Sequence, residues 1–232
     1  MSQPERKDAG SGSLRPGERT RIGVVDDHPA VRQGLVAFLA GRPDLEICGE
    51  AGDPATAIDL VEKHHPNLLL IDISLADGSG LELIKQIRSR FDAVRMLVYS
   101  MHDEMLFAER VIRAGASGYV SKSEGLDTLC DAIDQVKRGK IHLSARMTEA
   151  IVDRRLRGAA EDGLPSPADL SDRELEVFEA LGRGLSTREV ADRLNLSVKT
   201  VETHRENIKR KLGLHKNVEL LQRAFQWVMS NE

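Results

Sequence analysis

The sequence predicts an α/β domain built on a doubly wound, five-stranded parallel sheet, followed by an all-helical domain. Three observations carry that prediction. Between residues 20 and 139, short aliphatic runs alternate five times with amphipathic stretches, the βα alternation of a parallel sheet. The alternation stops near residue 140, and Gly158–Pro167, rich in Gly, Ala, Pro and acid, reads as linker. Beyond it, two capping boxes mark helix starts, Ser171-Asp172-Arg173-Glu174 and Ser186-Thr187-Arg188-Glu189.

The 232 residues suffice for two small domains, and 41% hydrophobic with 30% charged residues are globular values. A net charge of −4 argues against a protein that coats nucleic acid or membrane generally. Cys48 and Cys130 stand in no metal or redox spacing and fit reduced thiols. With no apolar run of membrane-spanning length and no signal-like N-terminus, the expectation is a cytoplasmic protein without membrane contact.

Residues 1–19 are polar and rich in Gly, Ser and Pro, and are expected to be a disordered leader. Arg21–Val25 is the first strand, ending in Asp26-Asp27-His28, and Pro29 opens a helix with Val31, Leu35, Val36 and Leu39 on one face. A second strand is expected at Leu45–Glu50, with a helix at 54–64. The third, Leu68-Leu69-Leu70-Ile71, ends in Asp72. Four aliphatics in a row suit a strand buried on both faces. Ala76–Gly80 reads as a turn into a helix at 80–90. The fourth strand is Met96–Ser100, with a helix near 104–114, and the fifth is Gly118–Lys122, with a helix at 126–137. Residues 142–157 suit another helix within a partly helical linker over 140–168. The second domain, residues 169–232, is expected to hold four helices: one burying Leu175, Phe178 and Leu181, a short one burying Val190, Ala191 and Leu194, a longer one from Val198 to about Leu212 closed by Gly213, and a last one from about Asn217 to Met229.

In such a sheet the cleft beyond the strands' carboxyl ends hosts ligands and chemistry. The chain places Asp26, Asp27, Asp72, Ser100 and Lys122 there. Taken singly, the acids read as caps, Ser100 as a strand terminus and Lys122 as a solvated charge. Together they are three mutually repelling carboxylates that a hard cation such as Mg²⁺ would neutralise. A carboxylate beside Mg²⁺ and a lysine is placed to attack phosphorus, because both cations offset charge on the transferring group.

Residues 21–139 resemble a response-regulator receiver domain, with its flavodoxin-like fold. The match runs through Val24-Val25-Asp26-Asp27-His28, Ile71-Asp72-Ile73, Val98-Tyr99-Ser100 and Gly118-Tyr119-Val120-Ser121-Lys122. The resemblance implies that Asp72 accepts a phosphoryl group from a histidine kinase. It assigns Mg²⁺ to Asp26, Asp27, Asp72 and the Ser74 backbone carbonyl, switching to Ser100 and Tyr119, and phosphate contact to Lys122. Two positions depart from the family pattern. Ala76 stands where Pro is common, which is expected to alter loop mobility. Met101 is bulkier than the usual small residue and is expected to hinder water and slow loss of phosphate. An unchanged phospho-Asp72 lifetime in Met101→Ala would contradict this.

In the helix from Val198, residues Val201, His204, Ile208 and Leu212 share one face and form the buried stripe, with His204 read as a packed histidine. Lys199, Thr203, Glu206 and Arg210 project oppositely, with Glu202 and Lys209 at the margin. A short helix, a tight turn and this longer helix make a helix-turn-helix layout. Residues 197–216 carry six cations against two anions, in a chain that is negative overall. Residues 170–225 are similar to the LuxR-type DNA-binding domain of NarL/FixJ-class regulators, through Leu170-Ser171-Asp172-Arg173-Glu174 and Ser197–His204. The resemblance implies that Lys199, Glu202, Thr203 and Glu206 face the major groove, and that Thr200, Arg205 and Lys209 favour phosphates. Glu202 or Glu206 suits cytosine N4; Glu206 equally suits an ion pair with Arg210. In the last helix Val218, Leu221, Phe225 and Val228 are the apolar positions, some covering the core and the rest, by resemblance, forming a homodimer contact.

The expected function is therefore a transcriptional response regulator that binds double-stranded promoter DNA, and not a turnover enzyme. Two alternatives are a Mg²⁺-dependent phosphatase with an aspartyl-phosphate intermediate and a signalling module whose helical domain binds protein or RNA. The first lacks a general acid two residues beyond Asp72, where Ser74 stands. Steeply salt-dependent DNA binding would exclude the second.

Overall fold

The computed structural model describes residues 19–75, 78–157 and 166–230. The expected leader up to residue 18, Ala76 and linker residues 158–165 lie outside them.

The first domain alternates strand and helix: β1 (Thr20–Val25), α1 (Pro29–Ala40), β2 (Leu45–Ala51), α2 (Pro54–His64), β3 (Leu68–Ile71), a two-residue pair β4 (Ser74–Leu75) and β5 (Gly78–Ser79), α3 (Gly80–Arg90), β6 (Arg95–Ser100), α4 (Glu104–Ala114), β7 (Gly118–Ser121) and α5 (Leu126–Lys137). Five of the strands form one parallel sheet in the order β2-β1-β3-β6-β7. Side chains alternate across it, as the period of two requires. Leu69, Ile71, Met96, Val98 and Tyr119 face α2, α3 and α4. Ile22, Val24, Leu68, Leu70, Leu97 and Val120 face α1 and α5. Both faces are covered, which explains the unbroken aliphatic run in β3.

The antiparallel β4–β5 pair occupies the stretch that reads as a plain turn in the sequence. Two residues per strand are too few for an alternation to register. Gly80 closes this loop against the end of β3, its N–H donating to the Ile73 carbonyl at 2.9 Å. A Cβ at Gly80 would stand 2.3 Å from the Asp72 carbonyl oxygen, so only glycine fits there.

After α5, His142 runs beside β7 and its carbonyl accepts from the Tyr119 N–H at 2.9 Å. Helix α6 (Ala145–Arg157) follows. A short 3₁₀ turn, Pro167–Asp169, leads into α7 (Asp172–Gly182), α8 (Thr187–Arg193), α9 (Val198–Lys211) and α10 (Asn217–Ser230). Both capping boxes form, Ser171 with Glu174 and Ser186 with Glu189. Gly213 takes the left-handed conformation, φ 66°, just past α9. Leu175, Phe178, Leu181, Val190, Leu194, Val201, Ile208 and Leu212 build the core with Leu220, Ala224 and Val228 of α10. Of the four apolar positions singled out in the last helix, only Val228 is buried. Leu220 and Ala224 complete that stripe, while Val218, Leu221, Phe225 and Met229 are exposed.

Candidate functional site

Register brings the acidic cleft together. Val25, Ile71, Val98 and Tyr119 form a row across four neighbouring strands. Beyond that row the candidate residues emerge on the same rim: Asp26 and Asp27 after β1, Asp72 after β3, Ser100 at the end of β6 and Lys122 after β7. The ladder continues past the strand ends, with Asp72 N–H donating to Val25 O at 2.9 Å and Lys122 N–H to Ser100 O at 2.8 Å. Backbone bonds therefore hold the site residues in place.

Asp26, Asp72 and Ser100 are almost fully buried, at 2%, 5% and 0% exposure. Buried carboxylates require partners, and Lys122 supplies one to both, its Nζ lying 2.6 Å from Asp26 Oδ2 and 2.6 Å from Asp72 Oδ2. Ser100 Oγ donates to Asp72 Oδ1 at 2.6 Å, and the Ser74 N–H to the same oxygen at 3.2 Å. Burial alone would lower the Lys122 ammonium, but Asp72 and Asp26 outweigh it and raise it above its ordinary value. Tyr119 is buried, and its hydroxyl donates to the His102 carbonyl at 2.7 Å. Burial, with the negative Asp72 nearby, pushes that phenol well up. Ser100 and Tyr119 thus already lie inward.

Asp26, Asp27, Asp72 and His28 present ligand atoms within 4.8 Å of one another. Asp27 Oδ1 is buried without a hydrogen-bond partner. The approach of His28 Nδ1 to it, at 2.7 Å, is an ion-pair distance that lacks hydrogen-bond geometry. Three carboxylates against the one Lys122 ammonium leave a formal deficit of two positive charges. An orphaned oxygen and that deficit fit a divalent oxygen-seeking cation. His28 is a neighbour that its place in the sequence motif does not single out.

On α9, Val201, Ile208 and Leu212 are buried and His204 is half-buried, with its Nδ1 unpartnered. Lys199, Glu202, Thr203, Glu206 and Arg210 are exposed, while Thr200, Arg205 and Lys209 are half-buried. Glu206 pairs with Lys209 at 2.9 Å, and Arg210 donates to Asn207 at 3.1 Å, so the Glu206–Arg210 alternative is not the pairing that forms. Arg205 donates to Thr187 of α8, which fixes its stem. Lys199, Glu202, Thr203, Arg205 and Glu206 line a shallow concavity. Asn217, at the start of α10, joins them there, and no periodicity points to it because it belongs to another helix.

The receiver-domain family of response regulators matches residues 22–134, and the LuxR family of bacterial regulatory proteins matches 168–224. The oxygen regulatory protein NreC of Staphylococcus carnosus is 32% identical over 210 residues, 89% of this chain and 97% of that protein. The chain is a NarL/FixJ-class response regulator. The Fimbriae Z protein of Salmonella typhimurium is 33% identical to this regulator over 87% of its chain and 94% of that protein. Among solved structures, a LuxR-family response regulator from Aurantimonas sp. SI85-9A1 is 34% identical, covers 60% of the regulator and 99% of that chain, and superposes with a TM-score of 0.56. RcsB from Salmonella enterica serovar Typhimurium, bound to promoter rprA, shares the fold with a TM-score of 0.65 at 24% identity, over 88% of the regulator and 98% of that chain. The regulator thus couples a receiver domain to a LuxR-type DNA-binding domain and belongs among the transcriptional regulators of two-component systems. Among the described residues, no helix is long and apolar enough to cross a membrane.

Sequence reasoning misses how the regulator's two domains meet. One stripe of α7, Asp172, Glu176, Glu179 and Arg183, turns toward the receiver. Asp172 accepts from Arg110 of α4 at 2.8 Å and from Lys85 of α3 at 3.0 Å. Arg110 also donates to the Leu170 carbonyl at 2.7 Å. Ser79, at the end of β5, donates to Glu176. Glu179 lies 3.1 Å from His102 Nδ1. Burial would raise the Glu179 carboxyl, but His102 and Arg183 outweigh it and hold it below its ordinary value. The acid-rich pattern of α7 is visible in the sequence, but an acidic helix face commonly meets only water.

Proposed function

We propose that this regulator is switched by a phosphoryl group passed from a histidine kinase to Asp72, and that the switched form binds paired promoter half-sites as a homodimer. The observation that carries the reading is the convergence of Lys122 and Ser100 on Asp72, each at 2.6 Å, inside a buried cleft. In the transfer an Asp72 oxygen attacks phosphorus, the P–N bond of the donor phosphohistidine breaks, and the imidazole keeps the electron pair. Lys122 offsets the charge on the transferred group, and Ser100 donates to one of its oxygens. Mg²⁺, when held by Asp26, Asp27, Asp72 and the Ser74 backbone carbonyl, would add a second positive charge at the same oxygens. Tyr119, packed beneath Ser100, completes the switch.

On the output side, Lys199, Glu202, Thr203 and Glu206 are offered to base edges, and Thr200, Arg205, Lys209 and Arg210 to phosphates. The exposed apolar stripe of α10, Val218, Leu221, Phe225 and Met229, supports an isologous contact between two copies. We take residues 20–139 as the receiver, 140–168 as a partly helical linker and 169–232 as the DNA-binding domain, working in the cytoplasm where kinase and promoter meet. The test is Asp72→Asn: it should resist labelling by acetyl phosphate and bind promoter DNA no better than untreated wild type. Binding as tight as that of phosphodonor-treated wild type would refute the reading.

A further inference from the structure

Ser74, His102 and Glu179 form a chain of side chains that neither phosphoryl acceptance nor DNA binding uses. Ser74 Oγ lies 2.6 Å from His102 Nε2, and His102 Nδ1 lies 3.1 Å from Glu179 Oε1 on α7. A carboxylate only accepts, so Nδ1 carries the proton toward Glu179, and Nε2 is left to accept from the Ser74 hydroxyl. That is the relation of nucleophile, base and orienting carboxylate by which unrelated folds activate a serine. Each member is held in place. Ser74 is fixed by its strand pairing with Ser79 and by its N–H, which donates to Asp72 Oδ1 at 3.2 Å. His102 is 9% exposed and its ring packs on Phe107 with centroids 4.7 Å apart, while its carbonyl accepts from the Tyr119 hydroxyl. Burial works against charge on Glu179, but His102 and Arg183 outweigh it, so the orienting carboxylate stays ionised.

The hydroxyl is also reachable. Ser74 is half-buried and borders a cavity of about 40 Å³ walled by Ile73, Leu75, Phe107, Ala180 and Leu194. That is space for about three water-sized groups, which suits an acetyl group and excludes longer acyl chains. Arg193 of α8 lines the same cavity and offers a guanidinium to an oxygen that gains charge there.

We propose that Ser74 is a covalent acceptor of acetyl groups, with His102 as its general base and Glu179 as the residue that positions the base. The donor is a small activated acetyl compound, an acyl phosphate or an aryl ester. Ser74 Oγ attacks the carbonyl carbon and forms the new C–O bond. The bond from that carbon to the phosphate or phenolate oxygen breaks, and the leaving oxygen keeps the electron pair. The serine proton passes to His102 Nε2 and from there to the leaving group. The acetyl group then fills the cavity and bars water from the ester, so the site takes up one group instead of turning over. None of these steps depends on Asp72 accepting phosphate.

The test treats the full chain with p-nitrophenyl acetate and follows the acetyl group on each serine over time by peptide mass mapping. Ser74 should gain acetyl about 10² to 10⁴-fold faster than the exposed Ser89 and Ser123, the gain that a positioned base supplies. His102→Gln should bring Ser74 down to the rate of those serines. Glu179→Gln, in the other domain, should slow it about tenfold, the factor a charge-assisted hydrogen bond is worth, and Glu179→Asp should recover part of the loss. With p-nitrophenyl butyrate, labelling of Ser74 should drop by about tenfold or more, because two extra methylenes do not fit. If wild-type Ser74 reacts no faster than Ser89 and Ser123, the bridge is only structural and the proposal is wrong, whether or not the variants fold. Fast acetylation of Ser74 that His102→Gln leaves unslowed overturns it as well.

Discussion

The acidic cleft and helix α9 are both charged sites, yet they are organised in opposite ways. In the cleft, charges are buried and partnered to one another at 2.6 Å. On the outer face of α9, Lys199, Glu202, Thr203, Glu206 and Arg210 are exposed, and the pairs made there, Glu206 with Lys209 and Arg210 with Asn207, are local and easily exchanged. The difference follows from burial. A buried carboxylate must have its counter-charge placed by the fold, whereas a solvated lysine or arginine waits for phosphate to supply one. The cleft is thus preorganised before any ligand arrives, and the reading face is completed by its ligand.

The contrast breaks most sharply at Lys122. Lys122→Met leaves Asp26 and Asp72 facing each other without a shared cation, and labelling of Asp72 by acetyl phosphate should fall by about 10² to 10³-fold. A fall of less than about tenfold would show that the cleft does not depend on preorganised charge. On the reading face a single charge matters less and differently. Lys209→Ala should weaken DNA binding about equally for all sequences and lower the slope of log affinity against log salt by about one. A loss confined to one base sequence would instead make Lys209 a reader of bases.

The smallest effect is expected between the two regions. Burial would raise the Asp172 carboxyl, but hydrogen bonds from Arg110 and Lys85 outweigh it and lower it. A depressed carboxylate contributes stability that is fully present above its unfolded value of about 4 and is lost as pH falls through the folded value. Interdomain contact should therefore loosen below about pH 4, seen as a rise in radius of gyration that Asp172→Asn lessens, Glu179 on the same surface supplying the remainder.

Much of the fold was legible because its signals are local. The run Leu68–Ile71, the two Ser-x-x-Glu boxes and the βα alternation each depend on residues close in sequence, and each forms as expected. The set Asp26, Asp27, Asp72, Ser100 and Lys122 was legible because parallel strands deliver their last residues to one rim. The β4–β5 pair was not, being too short to carry a period. Of the buried stripe of α10 the sequence singled out only Val228, since Leu220 and Ala224 look no more apolar than Leu221 and Phe225 until α7 chooses between them. Here Gly182 decides: a Cβ there would lie 2.5 Å from the Ala224 carbonyl oxygen, so the two helices meet along that line and leave Phe225 outside.

By itself, then, the sequence determined two domains, the acid-lined rim and a basic helix behind a tight turn, because periodicity, capping and strand ends are properties of neighbours along the chain. Only the tertiary structure decided that His102 bridges Ser74 to Glu179, that Asp172 reaches Arg110, and that α9 faces outward. Those side-chain contacts join residues 28 to 77 positions apart. No local propensity encodes them; they exist because burial at the interdomain surface forces each polar group there to find whichever partner packing has brought within reach.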